Sequence, residues 1–233
     1  MKEEVKKFLL SKQDPKYHVF SFELNLYHKY KSIGVRIPII RDYAKNLSKN
    51  NSLDYLINDI DEEYYEEILL KGFIIGNYKN LSLDELLNYI DNHLPKIKDW
   101  SMCDTFVTSL KITKKYLHQL WDYLLQKLNS KNEFDNRFAL VMILNYYIND
   151  DYKEKIYEVI KNINNDAYYV KMANAWLLSY MFIKYFDDTI KFINHNKIDI
   201  WTLKKGINKA CESYRINDDK KKILGKIREH IKE

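Results

Sequence analysis

Glycine and proline are scarce in this chain, with five Gly and three Pro in 233 residues, against average usage of about 7% and 5%. Sandwiches and barrels place Gly, Pro and Asn at many tight turns, so the shortage argues against both. It also leaves no Gly-rich phosphate loop. Gly72 and Gly76 are the closest pair, and neither a GxGxxG nor a Walker-type segment is present. What remains is a chain built mostly of helix.

Helical periodicity recurs from end to end. Residues 2–11 read as a short helix that Asp14 and Pro15 break. Residues 16–30 read as a second, aromatic-rich helix (Tyr17, Phe20, Phe22, Tyr27, Tyr30) that Gly34 interrupts. Pro38 stands where a first helical residue belongs and opens a helix over 38–48, and Ser52 caps 53–59. The chain then settles into pairs: 61–78 with 82–93, 98–110 with 114–128, 133–148 with 152–163, 167–186 with 188–195, and 200–213 with 217–231. Ser82 and Glu85 form a capping box, and Asn217 is a cap. Each pair takes about 35 residues, the period of stacked helix repeats. The expected fold is all-α, an α-α superhelix (solenoid) of HEAT-like antiparallel helix pairs, as one domain over residues 1–233.

The bulk numbers narrow the setting. Hydrophobic residues are 46% and charged residues 30%, the balance of a folded chain. No apolar run approaches the roughly 18 residues that a membrane helix needs, and the start MKEEVKKFLL has no signal-peptide core. Cys103 and Cys211 make no disulfide framework, and the six His are scattered outside ligand spacings. The expectation is a cytoplasmic protein without a metal. The net charge of +5 permits nucleic acid as a partner without demanding it. Only Arg36, Arg41, Arg137, Arg215 and Arg228 are arginine among 38 basic residues. An Arg kept in so Lys-rich a chain hints that its planar fork matters.

Three successive first helices each carry a residue out of keeping with its surroundings. Trp100 and Asp104, four apart, share one face of helix 98–110. Arg137 interrupts the apolar run FDNRFALVMILNYY, and Trp176 sits inside YYVKMANAWLLSYMF. The steps from Asp104 to Arg137 and from Arg137 to Trp176 are about one repeat each, so a solenoid would gather the four on one surface. Singly, each has an ordinary reading: a core Trp, a snorkelling Arg, a solvated Asp.

At these residues the sequence resembles the AlkD-like DNA alkylation repair family of HEAT-like proteins. The resemblance lies in GVRIPIIRDYAKNL (34–47), KDWSMCDTFVTSLK (98–111), NRFALVMILNYY (136–147), YYVKMANAWLLSY (168–180) and WTLKKGINKACESYRI (201–216). It implies that Trp100, Asp104, Arg137 and Trp176 are the family's active-site set. This chain has Asp99 where better-studied glycosylases of the family carry a second Trp, and Ser101, Met102 and Cys103 also differ. The resemblance implies a monofunctional DNA glycosylase acting on N3- or N7-alkylated purines in double-stranded DNA, a monomer with no metal or organic cofactor. Asp104, Trp100 and Trp176 would be catalytic and Arg137 would clamp a phosphate. Lys171, Lys204, Lys205 and Lys209 are candidates for further phosphate contacts, with solvated surface lysines as the alternative. Two other readings stay open on the residues alone: a non-catalytic module for damaged or branched DNA, and a protein-interaction scaffold.

Overall fold

The computed structural model describes residues 1–24 and 29–231. Fourteen α-helices occur among them: α1 (Lys2–Ser11), α2 (Pro15–Glu23), α3 (Ile37–Leu47), α4 (Leu53–Asp59), α5 (Tyr65–Asn77), α6 (Leu83–His93), α7 (Trp100–Ser109), α8 (Leu117–Leu128), α9 (Glu133–Tyr146), α10 (Lys153–Asn162), α11 (Tyr168–Lys184), α12 (Phe186–His195), α13 (Ile200–Glu212) and α14 (Asp218–His230). Short 3-10 turns occupy Leu94–Lys96 and Lys111–Lys115. An isolated bridge between Lys31 and Tyr64 is the sole extended pairing among the described residues.

The helix starts are written locally. Ser52 accepts the Tyr55 N–H at 3.4 Å, and Asn217 accepts that of Lys220 at 3.0 Å. Ser82 and Glu85 complete their reciprocal box, the Glu85 carboxylate taking the Ser82 N–H at 2.8 Å. Pro38 lies in the first turn of α3.

Three elements depart from the sequence pattern. The helix expected over 16–30 ends at Glu23; residues 25–28, Tyr27 among them, lie outside the described residues. Beyond them the chain is drawn onto α5. The Tyr65 N–H donates to the Lys31 carbonyl at 2.8 Å. The fully buried Glu66 carboxylate collects the N–H groups of Ile33, Gly34 and Val35 (3.0, 2.7 and 3.2 Å) and the Ser32 hydroxyl (3.0 Å). Gly34 makes the wrap possible with φ +86°, and a Cβ there would stand 2.6 Å from that of His18. The helix expected from 61 begins at Tyr65, because Glu67 takes the Glu63 and Tyr64 N–H groups, both at 2.9 Å, as a cap. The helix expected from 114 begins at Leu117, after the 3-10 turn.

The chain forms two compact units, Met1–His118 and Gln119–Glu233. In the first, α3, α5 and α7 lie side by side with α5 in the middle and α4 against it. In the second, α9, α11 and α13 lie side by side with α11 in the middle, flanked by α10, α12 and α14. Within each unit this is the all-α, helix-pair stacking of a HEAT-like superhelix. The central helices are buried nearly all round, as their lack of amphipathic patterning requires. The second helices bury one stripe each, such as Leu86, Ile90 and His93 on α6.

A recurring asparagine ties the layers in the second unit. The fully buried Asn136 of α9 donates its amide to the carbonyls of Lys127, Leu128 and Ser130 at 2.8–3.3 Å, closing the end of α8. One repeat on, Asn174 of α11 donates to Ile160 near the end of α10 at 3.1 Å. Each supplies a donor to carbonyls that a helix C-terminus leaves without partners.

Candidate active site and nucleic-acid interface

The α7 face is set by its first residue outside the helix. Asp99, almost fully buried, accepts the Met102 N–H at 2.9 Å and the hydroxyl of Tyr65, from the first turn of α5, at 3.3 Å. Burial pushes its carboxyl up to about 6, and the Asp104 charge adds to the rise. The N–H groups of Met102 and Ser101 and the Tyr65 hydroxyl hold it down. With the helix entry fixed, Ser101, Met102, Cys103, Phe106 and Val107 turn into the core while Trp100 and Asp104 remain half-buried on the outer side. The residues between Trp100 and Asp104 that differ from the family pattern are therefore packing residues. Cys103 is one of them, buried and in no disulfide.

In the second unit, α11 leaves one narrow stripe uncovered: Tyr169, Met172, Trp176 and Tyr180, all half-buried, among residues that are otherwise mostly buried. Trp176 meets the Tyr180 ring edge-on at 6.2 Å. Arg137, from the neighbouring α9, lies at one end of this stripe. Its guanidinium donates to the Tyr169 carbonyl at 2.9 Å and stands 5.8 Å from the Tyr169 ring centre. The residue is 5% exposed. Its cationic edge is thus drawn into the helix layer, where the sequence pattern alone suggested a surface position.

The four lysines fall on α11 and α13. Lys171 pairs with Asp199 at 3.1 Å, lies 4.0 Å from Asp166 and rests 5.4 Å over the Trp201 ring. Lys204, Lys205 and Lys209 are half-buried along α13. Trp100 and Asp104 thus share one helix in the first unit; Arg137, Trp176 and the lysines share three adjacent helices in the second.

Several residues of these faces carry little local signal in the sequence. Asp99 looked like a departure and is the cap that orients α7. Tyr169 was part of an apolar run and is the partner of Arg137. Trp201 is 38% exposed, and its neighbour Tyr168 is 59% exposed. A signal for Trp201 existed: it stands in the first turn after a capping Asp, with Lys at the following i+3 and i+4 positions.

Among the described residues no group of three His, Cys, Asp or Glu is arranged to hold a metal ion, and no helix is long and apolar enough to cross a membrane. Residues 9–210 match the model of a family described as DNA alkylation repair enzyme. Neither a curated protein nor a solved structure matches the chain.

Proposed function

The chain belongs to the DNA alkylation repair enzyme family, and on that premise we propose that it is a monofunctional DNA glycosylase that removes N3- or N7-alkylated purines from duplex DNA. The observation that carries this reading is selective exposure. On helices whose other faces are packed, Trp100, Asp104 and Trp176 keep outer faces.

An alkylated purine already carries positive charge, so its bond to the sugar is weak. In the reaction the C1′–N bond breaks, its electron pair neutralises the purine, and positive charge moves to an oxocarbenium-like sugar. A carboxylate and electron-rich ring faces suit that charge better than a strong nucleophile does. Asp104 stabilises the cation electrostatically and takes the proton of the water that adds to C1′. The indoles of Trp100 and Trp176 attract the cationic base and sugar, each by about 0.5–2 kcal/mol depending on desolvation. Arg137 is assigned a phosphate contact, for which its guanidinium turns out of the helix layer from the Tyr169 carbonyl. Lys171, Lys204, Lys205 and Lys209 contribute further phosphate contacts. The products are a free base and an abasic strand; no lysine is assigned a Schiff-base role and no metal or organic cofactor enters. The reading treats residues 1–233 as one HEAT-like domain that acts as a cytoplasmic monomer.

The test is incubation with methylated duplex DNA and chromatography of the released bases. Release of 3-methyladenine or 7-methylguanine, lost in Asp104→Asn, is expected. Salt-sensitive DNA binding with no release above that control would overturn the glycosylase and leave a non-catalytic DNA-binding module.

A further inference from the structure

At the N-terminal ends of α11 and α13, two aromatic side chains keep solvent-facing surface outside the core. Tyr168 is 59% exposed and Trp201 is 38% exposed. Their ring centres are 6.2 Å apart at 66°, so the two planes make a corner. Tyr168 is backed in turn by Tyr169, edge-on at 5.3 Å. The corner is thus joined to the ring that holds Arg137.

Between Trp201 and Lys209 the charged residues of α13 are all lysines, with Glu212 following one turn later. Trp201, Lys204, Lys205 and Lys209 follow at i, i+3, i+4 and i+8 on α13, so they form a column. The column runs about 12 Å at 1.5 Å per residue. Lys171 adds its ammonium over the Trp201 ring. Of the nearby acids, Asp199 is occupied by Lys171 and by the Thr202 N–H and hydroxyl, and Glu133 accepts the Tyr169 N–H at 2.7 Å. Asp166 is fully exposed beside Lys171. Ring faces next to a line of cations suit a nucleotide: the base stacks and the phosphates meet the lysines.

We propose that Tyr168 and Trp201 form a stacking corner for one unpaired base of a DNA strand whose phosphates follow Lys204, Lys205 and Lys209. The inference rests on DNA being the partner, as in the proposed function, but does not depend on base removal. It gives the protein a preference for duplexes in which a base has already left the stack.

The experiment uses unalkylated DNA, so that glycosylase chemistry does not enter. Affinities are measured for the full chain on a continuous duplex and on one of equal length and charge carrying a single-base bulge. Wild type is expected to favour the bulge. Trp201→Ala and Tyr168→Ala should each weaken bulge binding by roughly tenfold, the worth of one stacked base. Binding to the continuous duplex should move by less than about twofold. Trp201→Phe, which keeps a ring, should retain most of the preference. Unchanged melting of the variants checks the fold. No preference for the bulge, or equal losses on both duplexes, overturns the proposal, as does failure of the wild type to bind either DNA. A preserved bulge preference together with no release of methylated base would sink the glycosylase alone.

Discussion

Asp99 sits in a position where charge and fold are directly opposed. Its carboxyl is pushed from 3.8 up to about 6 by burial and by Asp104, so the folded chain holds its proton more tightly than the unfolded chain does. Between those two values the folded state binds more protons, and stability must fall as pH rises through the window and level off above it. At 1.36 kcal/mol per tenfold, the displacement costs the folded state roughly 3 kcal/mol above neutral pH. Asp99→Asn removes the charge but keeps an acceptor oxygen for the Met102 N–H and the Tyr65 hydroxyl. The stability difference between variant and wild type should therefore be near zero below about pH 4 and grow to roughly 3 kcal/mol in favour of Asn at about pH 8. His93 works the other way: burial pushes it down to about 3, so its contribution is lost as pH falls below its ordinary value of 6.5. Both proteins carry His93, and it cancels in the difference. Urea unfolding followed by helical circular dichroism across this range measures the difference directly. A difference that does not change with pH, or an Asn variant less stable at the alkaline end, refutes the reasoning.

Removing the Glu66 side chain orphans three buried N–H groups. Glu66→Ala should cost at least about 3 kcal/mol and Glu66→Gln less, since at about 1 kcal/mol or more each the donors dominate; a shift in unfolding free energy below about 1 kcal/mol would contradict the clasp. Gly76 and Gly225 should respond oppositely to alanine. A Cβ on Gly76 would stand 2.5 Å from the Ser109 Oγ and 2.7 Å from its carbonyl oxygen, forcing α5 and α7 apart at a cost of about 1–3 kcal/mol. A Cβ on Gly225 meets nothing within 4 Å, and the helix should gain about 1 kcal/mol. Thermal melts of the two variants moving in the same direction would refute that contrast.

What the sequence made legible was what a few neighbouring residues decide. Ser52, Ser82 with Glu85 and Asn217 each act on an N–H group three residues away, so their caps can be read from the chain. What it hid depends on distant partners. The end of the aromatic helix before Gly34 cannot be seen without Glu66, some 30 residues on, which pulls the following segment into its clasp. Asp99 reads only as a departure from the family's second Trp until Tyr65 is placed over it. An Arg inside an apolar run reads as snorkelling, because nothing local announces that the Tyr169 carbonyl, a repeat later, will accept its hydrogen bond. Little in the local sequence marks Trp201 as exposed; its place in the first turn of α13, beside Tyr168 and Lys171, leaves it partly outside.

The scarcity of arginine gains a physical meaning in the folded chain. Four of the five lie against aromatic rings: Arg36 on Tyr17 at 5.1 Å, Arg41 on Phe73 at 4.6 Å, Arg137 on Tyr169 at 5.8 Å and Arg215 on Tyr180 at 5.0 Å. A flat guanidinium can lie over a ring while its edge donates sideways, as Arg36 lies over Tyr17 and donates to Asp14 at 2.8 Å. Ammonium groups also lie over rings here, as Lys171 does over Trp201, but a compact point charge does not pair a flat stack with an edge donor. Two of the four rings, Tyr169 and Tyr180, stand on the α11 stripe on either side of Trp176. Arg137 reaches the first from α9, and Arg215 reaches the second from just beyond α13. The stripe is therefore held at both ends by cations from the two flanking segments, which restricts the tyrosine rings and, through the edge contact with Tyr180, the indole between them. A ring that is to present one face to a cationic base must lose its rotational freedom before the base arrives, and locking the supporting residues achieves that. In this arrangement Arg137 fixes Tyr169, and under the proposed function that positioning would precede any contact with a phosphate.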